Sequence, residues 1–211
     1  GAPEFYFCLE DELGVTSRDP ESCFVDVETT PLVLAFDDQE PSFRLPLTTA
    51  DFDVNGRGQC TTPYWPAAST PWLARDLDRS GTIDGGHELF GNGTRLASGT
   101  YAEHGFAALA DLDSDRDGQI TADDGAWPEL LLWTDINGDR RTDAWELLPL
   151  ASYGVDSLSL DVEVQPSCDL EGNCSRERAS FTRGRPLGAE AGDDDHRSVS
   201  GRIIDVYLTC P

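Results

Sequence analysis

The sequence predicts an α+β fold, in which short helices joined by acidic loops pack with a small antiparallel sheet and disulfides brace the whole. Three observations carry this reading. Apolar residues recur at helical spacing in the middle of the chain and at every second position toward its C-terminus. Six cysteines, Cys8, Cys23, Cys60, Cys168, Cys174 and Cys210, lie near the two ends and in loops. At 211 residues the chain makes one large domain or two small ones and can bury its own core.

Residues 1–30 show no sustained helical period and carry two cysteines, so they read as an N-terminal extension stapled to a main domain of residues 31–211. The apolar run Leu32 to Phe36 in TTPLVLAFDD has the length of a buried strand. From Leu45 to Pro71 the chain is rich in Pro, Thr and Gly. A first helix is expected over Tyr101 to Leu112, where Phe106, Leu109 and Leu112 share a face, and a second over Ala126 to Trp133, with a proline near its start. A third, from about Ala144 to Tyr153, would stop at Gly154. Beyond it VDSLSLDVEV, RERASFTRG and GRIIDVYL alternate apolar and polar residues, the pattern of an antiparallel sheet. The segment from Pro186 to Arg197, with GDDDH in it, reads as an exposed loop whose acids are solvated.

The cysteines have neither CxxC spacing nor histidine partners, which argues against zinc and for up to three disulfides in an oxidising compartment. Cys168 and Cys174 bracket the turn-like DLEGN and are the pair to expect; the other pairings stay open. No apolar run approaches the ~20 residues of a membrane span, and no signal peptide stands at Gly1, as expected of a mature exported protein.

Forty Asp and Glu face fifteen basic residues, all arginine, for a formal charge of -25. Nucleic acid and anionic membranes are poor partners for such a chain, and cations are good ones. The acids are not evenly spread. Thirteen of them fall in three loops totalling thirty-seven residues.

A hard cation such as calcium takes six to eight oxygen ligands. A twelve-residue loop supplies them from side chains at positions 1, 3 and 5, a carbonyl at 7, often a water at 9 and an acid at 12, with a glycine turn at 6. From Asp113 the sequence fills every position: Asp113, Asp115, Asp117, Gly118, the carbonyl of Gln119, Ile120 at position 8 and Asp124. From Asp135 it offers Asp135, Asn137, Asp139, the carbonyl of Arg141, Asp143 through a water and Glu146, but position 6 is Arg140, which would need a positive φ or a distorted turn. From Asp76 it offers Asp76, Asp78, Ser80, Gly81, the carbonyl of Thr82 and Asp84; position 12 is His87, and the acid arrives one residue late as Glu88, with Gly85 and Gly86 supplying slack. Asp51, Asp53 and Asn55, followed by Gly56, make a fourth candidate without a closing acid. Only ten residues separate the second and third loops, so one short helix is expected to serve both, unlike independent paired EF-hands. With no methionine in the chain, a sensor that opens a methionine-rich groove is also disfavoured.

The run from LARDLDRSGTIDGGHELFG through HGFAALADLDSDRDGQITADDGAWPELLLWTDINGDRRTDAWELLPLASYGVDSLSL resembles the calcium-dependent self-processing module of bacterial RTX, FrpC-like proteins. The resemblance extends from about Pro31 to Leu208 and leaves the extension outside. It implies that calcium folds the module and triggers cleavage of an Asp-Pro bond at its N-terminal edge. There the aspartate carboxylate attacks its own carbonyl, proline leaves as the amine, and a lysine can capture the anhydride. The matching dipeptide here is Thr30-Pro31, whose hydroxyl cannot form that anhydride, and the chain has no lysine. Asp19-Pro20 lies eleven residues upstream and reads as a turn.

His87, His104 and His196 have no serine or cysteine motif beside them, so no catalytic residue is assigned. Trp65, Trp72, Trp127, Trp133 and Trp145 read as core packing rather than a sugar cleft. The expectation is a secreted bacterial calcium-binding protein, organised by about three Ca2+ ions in EF-hand-like loops and structural or interacting in role. The alternatives are a self-processing module and a calcium-dependent binder of an extracellular or cell-surface protein or polysaccharide.

Overall fold

The run Leu32 to Ala35 is buried on both sides, and the molecule is arranged around it. A computed structural model describes residues 29–36, 40–45, 51–58, 64–184 and 199–209. Most of the N-terminal extension with Asp19-Pro20, the loop 186–197 with His196, and Cys8, Cys23, Cys60 and Cys210 lie outside the described residues.

Eleven strands are present among the described residues: β1 (Leu32–Ala35), β2 (Phe43–Arg44), β3 (Trp65–Pro66), β4 (Trp72–Ala74), β5 (Gln119–Thr121), β6 (Leu131–Trp133), β7 (Leu147–Pro149), β8 (Val155–Ser159), β9 (Glu163–Cys168), β10 (Cys174–Arg183) and β11 (Val199–Tyr207). Eight form one sheet in the order β5-β8-β10-β11-β1-β4-β6-β7. β9 adds to β10 beyond β8, and β2 pairs β3 separately. Every pairing is antiparallel, and the large sheet curls into an open half-barrel.

The expected α+β class is therefore corrected to a mainly β fold. The only α-helix among the described residues is α1 (Gly105–Ala110), a shortened form of the first expected helix. The second becomes a 3-10 turn, Trp127–Glu129, followed by β6, because β4 and β7 flank Leu131 to Trp133 and take up their backbone groups. The third becomes β7 and a 3-10 turn, Leu150–Tyr153. Pro149 cannot donate within a helix but is tolerated in β7, the last strand of the sheet. Gly154 does end that segment, with φ 73°. The alternating C-terminal segments form β8, β10 and β11, as their period implies, while β9, exposed along its length, lies mostly beyond them.

The sheet separates two cores. Leu32 and Leu34 face one with Phe106, Leu109, Ile120, Phe181 and Ile203. Val33 and Ala35 face the other with Phe52, Trp65, Trp72, Ile83, Trp133 and Ile204. Burial on both faces explains why β1 reads as a continuous apolar run rather than an alternating one. Trp65, Trp72 and Trp133 pack as the core reading expects, with ring centroids 5.2 to 5.4 Å apart, whereas Trp145 is 54% exposed. Cys168 and Cys174 form the expected disulfide, closing the β9-β10 turn.

Candidate metal centre

The three acidic loops share one pattern of hydrogen bonds. In each, the first aspartate accepts from the N–H at position 6: Asp76 from Gly81 at 2.8 Å, Asp113 from Gly118 at 3.0 Å, Asp135 from Arg140 at 3.0 Å. The side chain at position 3 accepts from the N–H at 5, joining Asp78 to Ser80, Asp115 to Asp117 and Asn137 to Asp139. Position 5 accepts from the N–H at 7, joining Ser80 to Thr82, Asp117 to Gln119 and Asp139 to Arg141. Such bonds need a tight turn. Positions 4 and 6 accordingly have positive φ in all three loops: Arg79 and Gly81, Arg116 and Gly118, Gly138 and Arg140. Three arginines thus adopt the left-handed conformation, which costs a residue with a Cβ about 1 kcal/mol or more.

The closing acids are wired alike. Glu88 accepts from the N–H of Leu77 at 3.0 Å and of Asp84 at 2.9 Å. Asp124 accepts from Ser114 at 2.7 Å and Thr121 at 2.9 Å, and Glu146 from Ile136 at 2.8 Å and Asp143 at 3.3 Å. All three carboxylates therefore join position 2 to position 9, and Glu88, not His87, holds this place in the first loop. All three are buried.

Ligand atoms of Asp113, Asp115 and Asp117 lie within 4.8 Å of one another, as do those of Asp76, Asp78 and Glu88. An ionised carboxylate has about four lone-pair sites, and one N–H per oxygen leaves room for a cation. A donor set made almost wholly of oxygen suits calcium better than a soft metal. His87 comes near the first loop, with Nε2 3.8 Å from Asp84. In the third, Asn137 donates to Asp143 at 3.3 Å.

The fourth candidate is a copy of the same turn in a register that begins at Asp53. Asp53 accepts from Gly58 N–H at 2.6 Å, Asn55 from Arg57 N–H at 3.0 Å, and Gly56 and Gly58 have φ 62° and 70°. Asp51 lies outside it. Position 5 is Arg57, whose guanidinium donates to Asn92 O and covers the Tyr101 ring.

Burial pushes the Glu88 and Asp135 carboxyls above their usual range against the N–H groups bonded to them. Desolvation and the neighbouring acids also raise Asp115. The Ser80 hydroxyl lowers Asp78, and the Thr121 and Ser114 N–H groups lower Asp124.

Thr30-Pro31 lies beside the exit of the first loop. Thr30 is buried and its Oγ1 accepts from Asn92 N–H at 3.1 Å, while Phe90 O accepts from Leu32 N–H at 2.9 Å. Asp205 of β11 lies opposite Leu32 of β1 and is fully buried. Its Oδ2 accepts from Gly105 N–H at 2.6 Å and its Oδ1 has no partner.

Burial, then the charge of Glu177, raise the Asp205 carboxyl well above its usual range. The unfolded chain ionises this group in the ordinary range while the folded chain still holds the proton, so its contribution to stability falls as pH rises through that window. Asp205→Asn is expected to flatten the decline in unfolding free energy as pH rises above the ordinary carboxylate range, relative to the parent protein. Urea melts at fixed calcium check this, and equal slopes in the two proteins would refute it.

Sequence reading missed Arg57, Asp205 and Thr142. Thr142 had a signal: position 8 is isoleucine in the other two loops.

The family model described as the SPM domain matches residues 32–193. Iron-regulated protein FrpA of Neisseria meningitidis serogroup C is 40% identical over 142 residues, which cover 67% of this chain and 13% of that protein. The chain thus corresponds to a small part of the relative it matches. Both findings fit the resemblance to FrpC-like proteins. The family match runs from β1 through all three acidic loops and past the end of β10 and takes in well over half of the sequence, so the chain belongs to the SPM domain family.

Proposed function

We propose that this chain is a calcium-binding module of an exported protein and that its fold is organised by ions in loops 76–88, 113–124 and 135–146. The observation that carries the reading is the shared wiring of those loops, which turns oxygen ligands at positions 1, 3 and 5 onto a common turn three times over. The ligands would be Asp76, Asp78, Ser80, Thr82, Asp84 and Glu88; Asp113, Asp115, Asp117, Gln119 and Asp124; and Asp135, Asn137, Asp139, Arg141, Asp143 and Glu146. Bound calcium would neutralise the clustered carboxylates, so its binding energy becomes folding energy. The disulfide and the kinship to FrpA support work in an oxidising, extracellular setting. No helix among the described residues is long and apolar enough to cross a membrane. The fourth turn, with Arg57 at a ligand position, is not counted among the sites.

A second reading, a calcium-ordered surface for a cell-surface protein or polysaccharide, is favoured by Leu77, Ile136 and Trp145. These apolar residues of the first and third loops are 50%, 59% and 54% exposed.

Intact mass of the purified chain, native and denatured, in calcium and in chelator, tests the main reading. Three bound ions on an uncut chain are expected. An ion-free chain in calcium would overturn it, and calcium-dependent cleavage at Thr30-Pro31 would replace it with self-processing.

A further inference from the structure

The first and third loops are joined, and the second is not. Thr142, at position 8 of the third loop, accepts from Ile83 N–H at 2.9 Å and donates to Ile83 O at 3.1 Å. Ile83 is position 8 of the first loop, so one hydroxyl satisfies both of its backbone polar groups. The neighbouring position-9 residues, Asp84 and Asp143, donate their N–H groups to the closing acids Glu88 and Glu146. A chain of bonds therefore runs from one closing carboxylate to the other: Glu88, Asp84, Ile83, Thr142, Asp143, Glu146. The link rests on a shared core, because Ile83 packs with Trp133 at the entrance of the third loop, and Leu147 at its exit packs against the same cluster.

Position 8 of the second loop turns elsewhere. Ile120 lies in β5, pairs with Leu158 of β8 and packs in the core on the opposite face of the sheet. Gly118 O accepts from Leu160 N–H at 2.9 Å, which ties that loop to the end of β8. Ordering the second loop therefore acts on β8, whereas ordering either of the others acts on its partner.

We propose that loops 76–88 and 135–146 form one cooperative pair of cation sites, coupled through Thr142, and that loop 113–124 binds independently. This rests on the calcium reading above. A cation that draws Glu88 or Glu146 into place fixes the adjacent position-9 residue and, through Thr142, the position-8 residue opposite. The second ion then meets a loop already ordered, and the coupling is reciprocal.

Calorimetric titration of the full chain with calcium chloride, combined with native mass, separates the possibilities. Asn137→Ala, which removes a ligand from the third loop, is expected to weaken binding in the first loop about tenfold, within the usual range for coupled sites. Asp115→Ala, in the second, is expected to leave the paired sites within about twofold of the parent protein, as an uncoupled change should. Thr142→Val keeps the size of the side chain and removes the hydroxyl; it should still bind three ions but without cooperativity, while Thr142→Ser should retain it. If Thr142→Val fails to fold, the Asn137→Ala and Asp115→Ala comparison decides alone. Ions bound in Asn137→Ala with unchanged affinity in the first loop would overturn the coupling and leave the calcium reading intact. A parent protein that binds no calcium would overturn both.

Discussion

In about 10 mM calcium the protein is expected to melt roughly 15 to 30 °C higher than in excess chelator. Extracellular sites have Kd values reaching ~10⁻⁴ M, so this concentration is about a hundredfold excess, and each such site adds ~2.7 kcal/mol to the folded state. Three such sites would together contribute about 8 kcal/mol, comparable with the whole stability of an ordinary domain. On the calcium reading, removal of the ion would do more than forfeit this gain. Asp113, Asp115 and Asp117 crowd within 4.8 Å, and their mutual repulsion then acts against the turn that holds them. Three arginines kept at positive φ add strain that the turn must offset. Circular dichroism melts in calcium, magnesium and chelator measure the effect. Magnesium should stabilise less, because it demands near-octahedral geometry and gives up water reluctantly. Coincident melts in calcium and chelator would refute a structural role for the ion.

The tight turns of the acidic loops were legible because their residue pattern repeats at a fixed spacing. Alternate oxygens, a left-handed turn and a late acid must recur at set intervals, and of the two ways to fit Arg140, a positive φ or a distorted turn, the structure takes the first, at φ 59°. The helices were misread because the runs that suggested them are short. Leu130 to Trp133 is four residues, which periodicity cannot assign to helix or strand, and the flanking β4 and β7 decided the matter. Nothing local could reveal this, since β4 lies some sixty residues earlier in the chain. Asp205 was missed for a different reason. An acid in an alternating strand reads as solvent-facing, yet here both faces of β11 are covered and Gly105, the first residue of α1, donates its N–H to it. The link through Thr142 depends on two loops fifty-nine residues apart meeting in space, which spacing within each loop does not encode.

Gly86→Ala is expected to destabilise the protein by about 3 to 5 kcal/mol and to disable the first loop. Gly85 and Gly86 read as slack for a loop one residue too long, but the structure shows a tighter requirement. A Cβ at Gly86 would stand 1.6 Å from Val54 O and 2.7 Å from Asn55 N. These are backbone atoms that no rotamer change can move aside. The segment that carries them is also anchored: Asp53 O accepts from both Gly86 and Gly56, Thr29 Oγ1 donates to Val54 O, and Val54 and Asn55 are each 2% exposed. An added methyl must therefore part the 53–58 turn from the first loop. That breaks the Gly86–Asp53 bond and shifts Glu88, two residues on, away from Leu77 and Asp84. The variant should bind fewer ions while the second loop, on the other face of the sheet, keeps its own. Gly125→Ala is the control: nothing lies within 4 Å of its Cβ position, and its cost should stay within about 0.5 kcal/mol. Urea melts at fixed calcium and native mass of the two variants give both readouts. A Gly86→Ala protein as stable as the control, with the full complement of ions, would mean that the 53–58 turn can move away freely and does not brace the first loop.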